Sequence, residues 1–503
     1  MRSKANSSNL LIAAVLALQF SLRAESSKHP PPEGRFHESW MELRILGKKA
    51  GHSRVTVQRS GEFVTSRTQT MIKINRSGSE LSIAAKEEAK ETLDGQMVGF
   101  TRELNMGGTP LRIEGVIEDQ SIRVTTEQFG RKKERTHDLD ERGLMNWGLL
   151  RLMRVEGFSS GTTYDAWIYS PEFGMEAPTK VTVKVLGEEE LLLPIGKRYA
   201  TRISMLLHSK AGKLESQSWL DEDGFALQAR MKLGGIQMEM KRTSKASALE
   251  SFAPADLFSH SLLPLHGSVP KNARAVTYRM KMKSDSEVGL SPPNGYTQTV
   301  ETSSEGFMIV KVKRSDLDEV TEGKGNPTEV ASRYRKPNVM IDSNDPSIRK
   351  LAKFAARGAG NPISMAKQLR VFVTNYINRK TLEIGFATAS EVARTRSGDC
   401  TEHAVLLAAL GRSKGLPARV AAGLVYLPEH NGSKNLMGFH MWTQFYLRGK
   451  WVDFDAALGE SECSPTRITL TTASLSDVSL AEIGFALAEA MEHLEIKIVE
   501  IER

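Results

Sequence analysis

The sequence predicts an α+β protein: a large antiparallel β region first, then helices packed on a second antiparallel sheet. Three observations predict it. Residues 37–250 alternate apolar with polar side chains in short runs, the pattern of half-buried antiparallel strands. Two helix starts, Asp345-Pro346 and Asn361-Pro362, place an N-cap before a proline at the first helical position. A third helix start, at Asp399, opens an apolar run and is followed by two strands at 440–447 and 451–455.

In chain order, residues 1–24 read as a cleavable signal peptide. Arg2 and Lys4 give the charged start, Leu10–Phe20 the apolar run, and Leu22-Arg23-Ala24 the cleavage site. The run is too short to span a bilayer comfortably, and no other stretch reads as a membrane span. The expectation is therefore a periplasmic or secreted protein, cut after Ala24. Cleavage lowers the net charge from +8 to +5. Such a weak, scattered excess is that of a solvated surface, and no nucleic-acid partner is expected.

Residues 25–36, with Pro30-Pro31-Pro32, read as a flexible lead-in. In 37–250, strands are expected at Trp40–Leu46, Ser53–Gln58, Thr65–Ile74, Leu111–Ile117, Ser121–Thr126, Thr179–Leu186, Thr201–His208, Glu215–Leu220 and Ile236–Lys241, with one helix near Leu144–Val155. Glycines punctuate them as turns. The sheet is expected to be curved or partly closed. Trp147, Trp167 and Trp219 read as core or rim packing. No constellation here suggests chemistry. Presenting substrate, docking to an envelope partner and scaffolding are the roles open to this region.

Residues 251–272 form a proline-bearing linker and 273–335 a small β unit with strands at Ala275–Lys283 and Gly306–Lys313. Residues 336–475 hold the helices and strands that could carry chemistry. Ile348, Leu351 and Ala355 mark the buried stripe of one helix; Ile363, Ala366, Leu369, Val373 and Ile377 mark that of the next. Residues 476–503 read as a C-terminal helix, its turns laid out from Leu480 to Leu494.

The chemistry-bearing stretch begins Ser397-Gly398-Asp399-Cys400-Thr401-Glu402-His403. Asp399 is a good N-cap, and Ala404–Leu410 is apolar nearly all round, so the helix should be buried. Cys400 falls on the first turn, where unpaired amides and the positive end of the helix dipole favour thiolate, the nucleophilic form. A cysteine inside an apolar helix is ordinarily inert packing, but Cys400 precedes the apolar run. Cys-x-x-His with no second ligand pair is not a zinc site, so Glu402 and His403 read as support for the first turn or cleft lining, and no metal or other cofactor is expected. His440, Trp442 and Gln444 share one strand face, and Asp453 and Asp455 have matching parity on the next strand. A turn at Gly449-Lys450 would set Asp455 opposite Gln444; a turn at Leu447-Arg448 would set it opposite His440, the register expected to allow a hydrogen bond.

Together, Gly-Asp-Cys-Thr-Glu-His-Ala, Gly-Leu-Pro-Ala-Arg at 415–419, His440-x-Trp442 and Trp451-x-x-x-Asp455 resemble the transglutaminase-like superfamily, over roughly residues 335–475. The resemblance implies a papain-like core with Cys400 as nucleophile, His440 as general base and then acid, and Asp455 orienting the imidazole. Asp453 is the rival acid. Many relatives follow the acid with Pro-Thr; here Ala456-Ala457 stands instead. The implied activity is thiol-dependent acyl transfer on peptide or protein amides: a hydrolase, or a cross-linking transglutaminase. The other class is a non-enzymatic envelope binding protein retaining the fold. Cys463 is the only other cysteine, and a disulfide to it would silence Cys400; Cys400 is expected to be unbridged.

Overall fold

The computed structural model describes residues 30–475 and 493–503, apart from 77–78, 129, 172–173, 210–211, 234–235, 255, 261, 284–289, 322–329 and 382–386. The expected signal peptide and nearly all of the expected helix at Leu480–Leu494 lie outside the described residues. The chain divides into two compact units, 1–256 and 257–503.

The first unit is built on one fifteen-stranded sheet among the described residues. Its first strand, Gly34–Ile45, lies at the centre, paired with the last, Ile236–Thr243, in the register Trp40↔Thr243 to Ile45↔Met238. From that pair the sheet grows outward in both directions by successive antiparallel hairpins, until a last short strand, Gly143–Leu144, joins Thr163–Ser170 in parallel. Each of the nine expected strands is present. The first begins at Gly34, inside the stretch expected to be a flexible lead-in. Strand Ser79–Thr92 was not anticipated, and its Ala-Ala-Lys-Glu-Glu-Ala-Lys-Glu composition favours helix. Pairing on both edges overrides that propensity. Period-two alternation then turns Leu81, Ile83, Ala85, Glu87, Ala89 and Glu91 inward, all of them buried.

Inward Glu91 has a use. Helix α1 (Asn146–Glu156) has no side-chain cap from its own N-cap residue. Instead Glu91 accepts from the backbone N–H of Trp147 through Oε2 (2.7 Å) and of Gly148 through Oε1 (2.8 Å). A carboxylate there satisfies two orphan donors and the positive helix end. So anchored, α1 packs Trp147 and Leu150 against Val55, Val57, Val64 and Phe225. Trp147 and Trp219 are buried and Trp167 half-buried.

The second unit layers helices and two antiparallel sheets, with a two-stranded parallel pair, Arg379–Lys380 on Ser397–Gly398, beside them. Strand β1 (Leu263–Pro264) lies inside the expected linker. Strands β2 (Ala275–Met282), β3 (Gln298–Thr302) and β4 (Phe307–Lys313) follow. Then come α2 (Pro346–Ala355), α3 (Pro362–Tyr376), α4 (Ala389–Thr395) and α5 (Cys400–Ser413). The chain continues through β5 (Ala418–His430), β6 (Ser433–Leu447), β7 (Lys450–Phe454), β8 (Arg467–Ala473) and β9 (Leu494–Glu502). One sheet has the order β1-β6-β5-β8, with β7 also on β6; the other has the order β3-β4-β2-β9. The expected caps form: Asp345 accepts from Ser347 N–H at 2.9 Å, and Asn361 with Ser364 makes a reciprocal capping box.

One expectation is corrected by β9. The C-terminal helix expected over 476–503 does not hold for its last residues: Leu494–Glu502 is a strand paired with β2 along its length. Leu-Glu-Ile-Lys-Ile-Val-Glu-Ile is β-branched and alternating, and β2 offers it an unpaired edge.

Replacing Glu91 by alanine orphans two buried N–H groups at the start of α1. We expect a loss of about 2–4 kcal/mol in the transition of the first unit, read by denaturant unfolding followed through tryptophan fluorescence.

Candidate active site

Helix α5 is the spine of the site. Every residue from Thr401 to Arg412 is buried. Its approach to the sheet is close: a Cβ at Gly411 would lie 2.1 Å from the Phe445 ring. Thr443 Oγ1 on β6 donates to Ala404 O at 2.9 Å and ties the two elements. The N-terminus is closed by a reciprocal box. Asp399 accepts from Thr401 N–H (2.8 Å), and Glu402 Oε2 accepts from Asp399 N–H (2.9 Å). Glu402 Oε1 also takes Ala387 N–H at 3.2 Å. Gly398 rides directly over this carboxyl; a Cβ there would fall 2.3 Å from that of Glu402. His403 turns back on the same cap, its Nδ1–H donating to Asp399 O at 2.6 Å. Cys400, half-buried on the rim of the core, is the first residue of this braced turn.

Burial first, and the Asp399 charge beside it, push the Glu402 carboxyl up to about 8. At neutral pH it is largely protonated, so the turn under Cys400 is spared a second negative charge.

His440 and Asp455 come together. His440 Nε2–H donates to Asp455 Oδ2 at 2.7 Å, with the carboxylate fully buried. That bond fixes the tautomer and leaves Nδ1 as the basic ring nitrogen. The register that achieves it is neither of the two expected. Leu447 pairs with Lys450 around an Arg448-Gly449 turn, both residues at positive φ. Gln444 therefore faces Asp453, and Asp455 lies past the end of the ladder, diagonal to His440. Same-face diagonal neighbours are within reach of long side chains. Beyond β7 the backbone leaves β6: Asp455 and Glu460 exchange two N–H···O bonds of 2.8 Å each. Along that edge of β6, β1 covers 436–437 and β7 covers 443–447, so His440 sits in the interval between them.

The rival acid is otherwise engaged. Asp453 accepts from Trp442 Nε1 (2.6 Å), Gln444 Nε2 (2.7 Å) and Thr297 Oγ1 (2.8 Å). Trp442 is buried and stacked on His440, with ring centroids 6.0 Å apart. No sequence signal marks Arg467 at the start of β8, which donates to Asp455 Oδ2 at 3.0 Å and to Glu460 Oε2 at 2.7 Å. Burial opposes ionisation of Asp455, but the His440 ring and the Arg467 guanidinium hold its carboxyl well below the usual carboxylate range. Neither cysteine is in a disulfide; Cys463 is buried, and that burial pushes its thiol up. Among the described residues no group of three or more His, Cys, Asp or Glu side chains is arranged to hold a metal ion.

Residues 349–456 match the family model of the transglutaminase-like superfamily. The chain carries a transglutaminase-like domain. That domain spans α2 to the residue after Asp455 and so contains Cys400, His440 and Asp455. No curated protein matches the chain. Among solved structures, a candidate cysteine protease from Cytophaga hutchinsonii is 16% identical, over 46% of this chain and 90% of that one, at a TM-score of 0.28. The periplasmic domain of TgpA from Pseudomonas aeruginosa is 16% identical, over 39% and 89%, at 0.27. A β-barrel-like protein of a domain of unknown function from Brucella abortus is 14% identical, over 42% and 96%, at 0.34.

The raised Glu402 pKa gives a pH prediction. A carboxyl whose folded pKa lies above its unfolded value stabilises the fold while protonated. Stability should fall by roughly 1 kcal/mol per pH unit between the unfolded value and about 8. Urea unfolding of the second unit as a function of pH should show this slope, and Glu402→Gln should flatten it.

Proposed function

We propose that the protein is an exported thiol-dependent acyl-transfer enzyme acting on peptide or protein amides, and a hydrolase in preference to a cross-linking enzyme. The supporting observation is the buried His440–Asp455 pair of 2.7 Å within a transglutaminase-like domain whose central helix opens on Cys400. A thiol-bearing helix laid on antiparallel strands that carry an imidazole and a carboxylate is the plan of a papain-like core.

In this reading the Cys400 thiolate attacks the substrate carbonyl carbon. His440 takes the thiol proton on Nδ1 and passes it to the departing amine, leaving a thioester on Cys400. It then takes a proton from water, which attacks the thioester and frees the acid and the thiol. Asp455, held ionised, keeps the ring in the required tautomer and stabilises the imidazolium. Backbone N–H at the start of α5 supplies part of the oxyanion hole, and a second donor completes it. Export rests on the charged-then-apolar pattern of residues 1–24; among the described residues, no helix is long and apolar enough to cross a membrane. Among its described residues the first unit shows no comparable site, and presenting substrate or docking to an envelope partner is the role proposed for it.

Cys400→Ala should abolish turnover of denatured-protein and peptide amides and eliminate the Cys400 thioester seen by mass spectrometry, with circular dichroism unchanged. Asp455→Asn should lower turnover by about 10²- to 10⁴-fold. Undiminished turnover in Cys400→Ala would reject the assignment and favour a binding protein.

A further inference from the structure

The loop after Asp455 runs Ala456-Ala457-Leu458-Gly459, with no proline. Without a proline, the backbone there has no built-in stiffness. The structure supplies another constraint. The backbone bonds between Asp455 and Glu460 close a six-residue loop, and the side chains at its two ends meet one guanidinium. Arg467 is 3% exposed. Its Nη2 shares Asp455 Oδ2 with His440 Nε2, at 3.0 and 2.7 Å, while Nη1 reaches Glu460 Oε2 at 2.7 Å. Leu458 N–H occupies the other oxygen, Oδ1, at 2.9 Å.

We propose that Arg467, balanced by Glu460, is a positioning residue that both aims Asp455 at His440 and sets the pH range over which the imidazole can work. The inference rests on the functional reading above. A planar guanidinium can hold two carboxylates at fixed angles, which an ammonium cannot. Its charge acts in a second way. Arg467 and a protonated His440 compete for the same carboxylate oxygen, so the guanidinium weakens the support that Asp455 gives to imidazolium. Glu460 on the far side of Arg467 partly offsets this.

Of the other titratable neighbours, Glu402 on α5 is pushed up to about 8 by burial and Lys380 donates to Ala457 O at 3.2 Å, both common to every variant below. Asp453 on β7 is taken up by Trp442, Gln444 and Thr297. Burial keeps the Cys463 thiol protonated. On α5, burial pushes the His403 ring down, toward neutral. From α3, Arg370 adds a second positive charge near Asp455, common to every variant below.

The test needs no identified substrate. Iodoacetamide alkylation of Cys400 is followed across pH in the full-length protein, with mass spectrometry locating the label. The upper inflection reports loss of the imidazolium proton beside the thiolate. Arg467→Gln should move it up by about half a unit to one unit, because a nearby cation has gone. Glu460→Gln should move it the opposite way, by less, because that side chain is 32% exposed. Arg467→Lys should leave it near the wild-type value while slowing alkylation. Inflections that stay fixed, or shift the same way in the Arg467→Gln and Glu460→Gln variants, overturn the proposal, since a merely structural clamp has no such sign. Should Arg467→Gln fail to fold, Glu460→Gln decides alone: a downward shift supports, none or an upward shift refutes. An ordinary thiol titration of Cys400 in the wild type would instead defeat the functional reading itself.

Discussion

A carboxylate with no exposed surface is the constraint on which the site depends. Removing Asp455 from water costs several kcal/mol unless each oxygen is met. Here Oδ1 takes the Leu458 amide, and Oδ2 takes both the His440 ring and Arg467. The charge can be buried only because those three donors converge, and convergence fixes the ring. The same desolvation that makes the charge expensive makes its contacts strong. Orientation of the imidazole is therefore a by-product of satisfying a buried anion.

The rest of the second unit delivers chain to that point. Helix α5 is buried over twelve residues, so its first turn cannot drift, and the Asp399–Glu402 box closes it on the inside. The Arg448-Gly449 turn sets the β6–β7 register one step short of direct opposition, and the bridge to Glu460 lifts Asp455 out of the ladder to face His440. The acid within the ladder, Asp453, satisfies a buried tryptophan and a glutamine instead. Two acids of equal parity thus take different duties because one is held in a sheet and the other has left it.

Local signals carried the sequence analysis a long way. Caps before prolines, the apolar run after Asp399 and the alternating strands each state a preference that the fold keeps. Four things were beyond it. Ser79–Thr92 prefers helix on its own, and only its neighbours make it a strand. The tail beyond Leu494 alternates, but its partner β2 lies about two hundred residues earlier. Arg467 opens a strand as any exposed arginine might; its partners, twelve and seven residues upstream, become neighbours only once the Glu460 bridge has formed. The β6–β7 register failed for a related reason. Both anticipated registers kept Asp455 in the ladder, while the observed bond depends on its leaving.

The most direct test of the account is the pKa of the Cys400 thiol, taken from the thiolate absorbance difference between the native protein and Cys400→Ser. If, as proposed, the thiol on the helix N-terminus pairs with the His440 imidazole backed by buried Asp455, it should titrate well below the ordinary value of about 8.5, and His440→Ala should restore that value. A wild-type Cys400 that titrates as an ordinary thiol, unmoved by loss of His440, would contradict it.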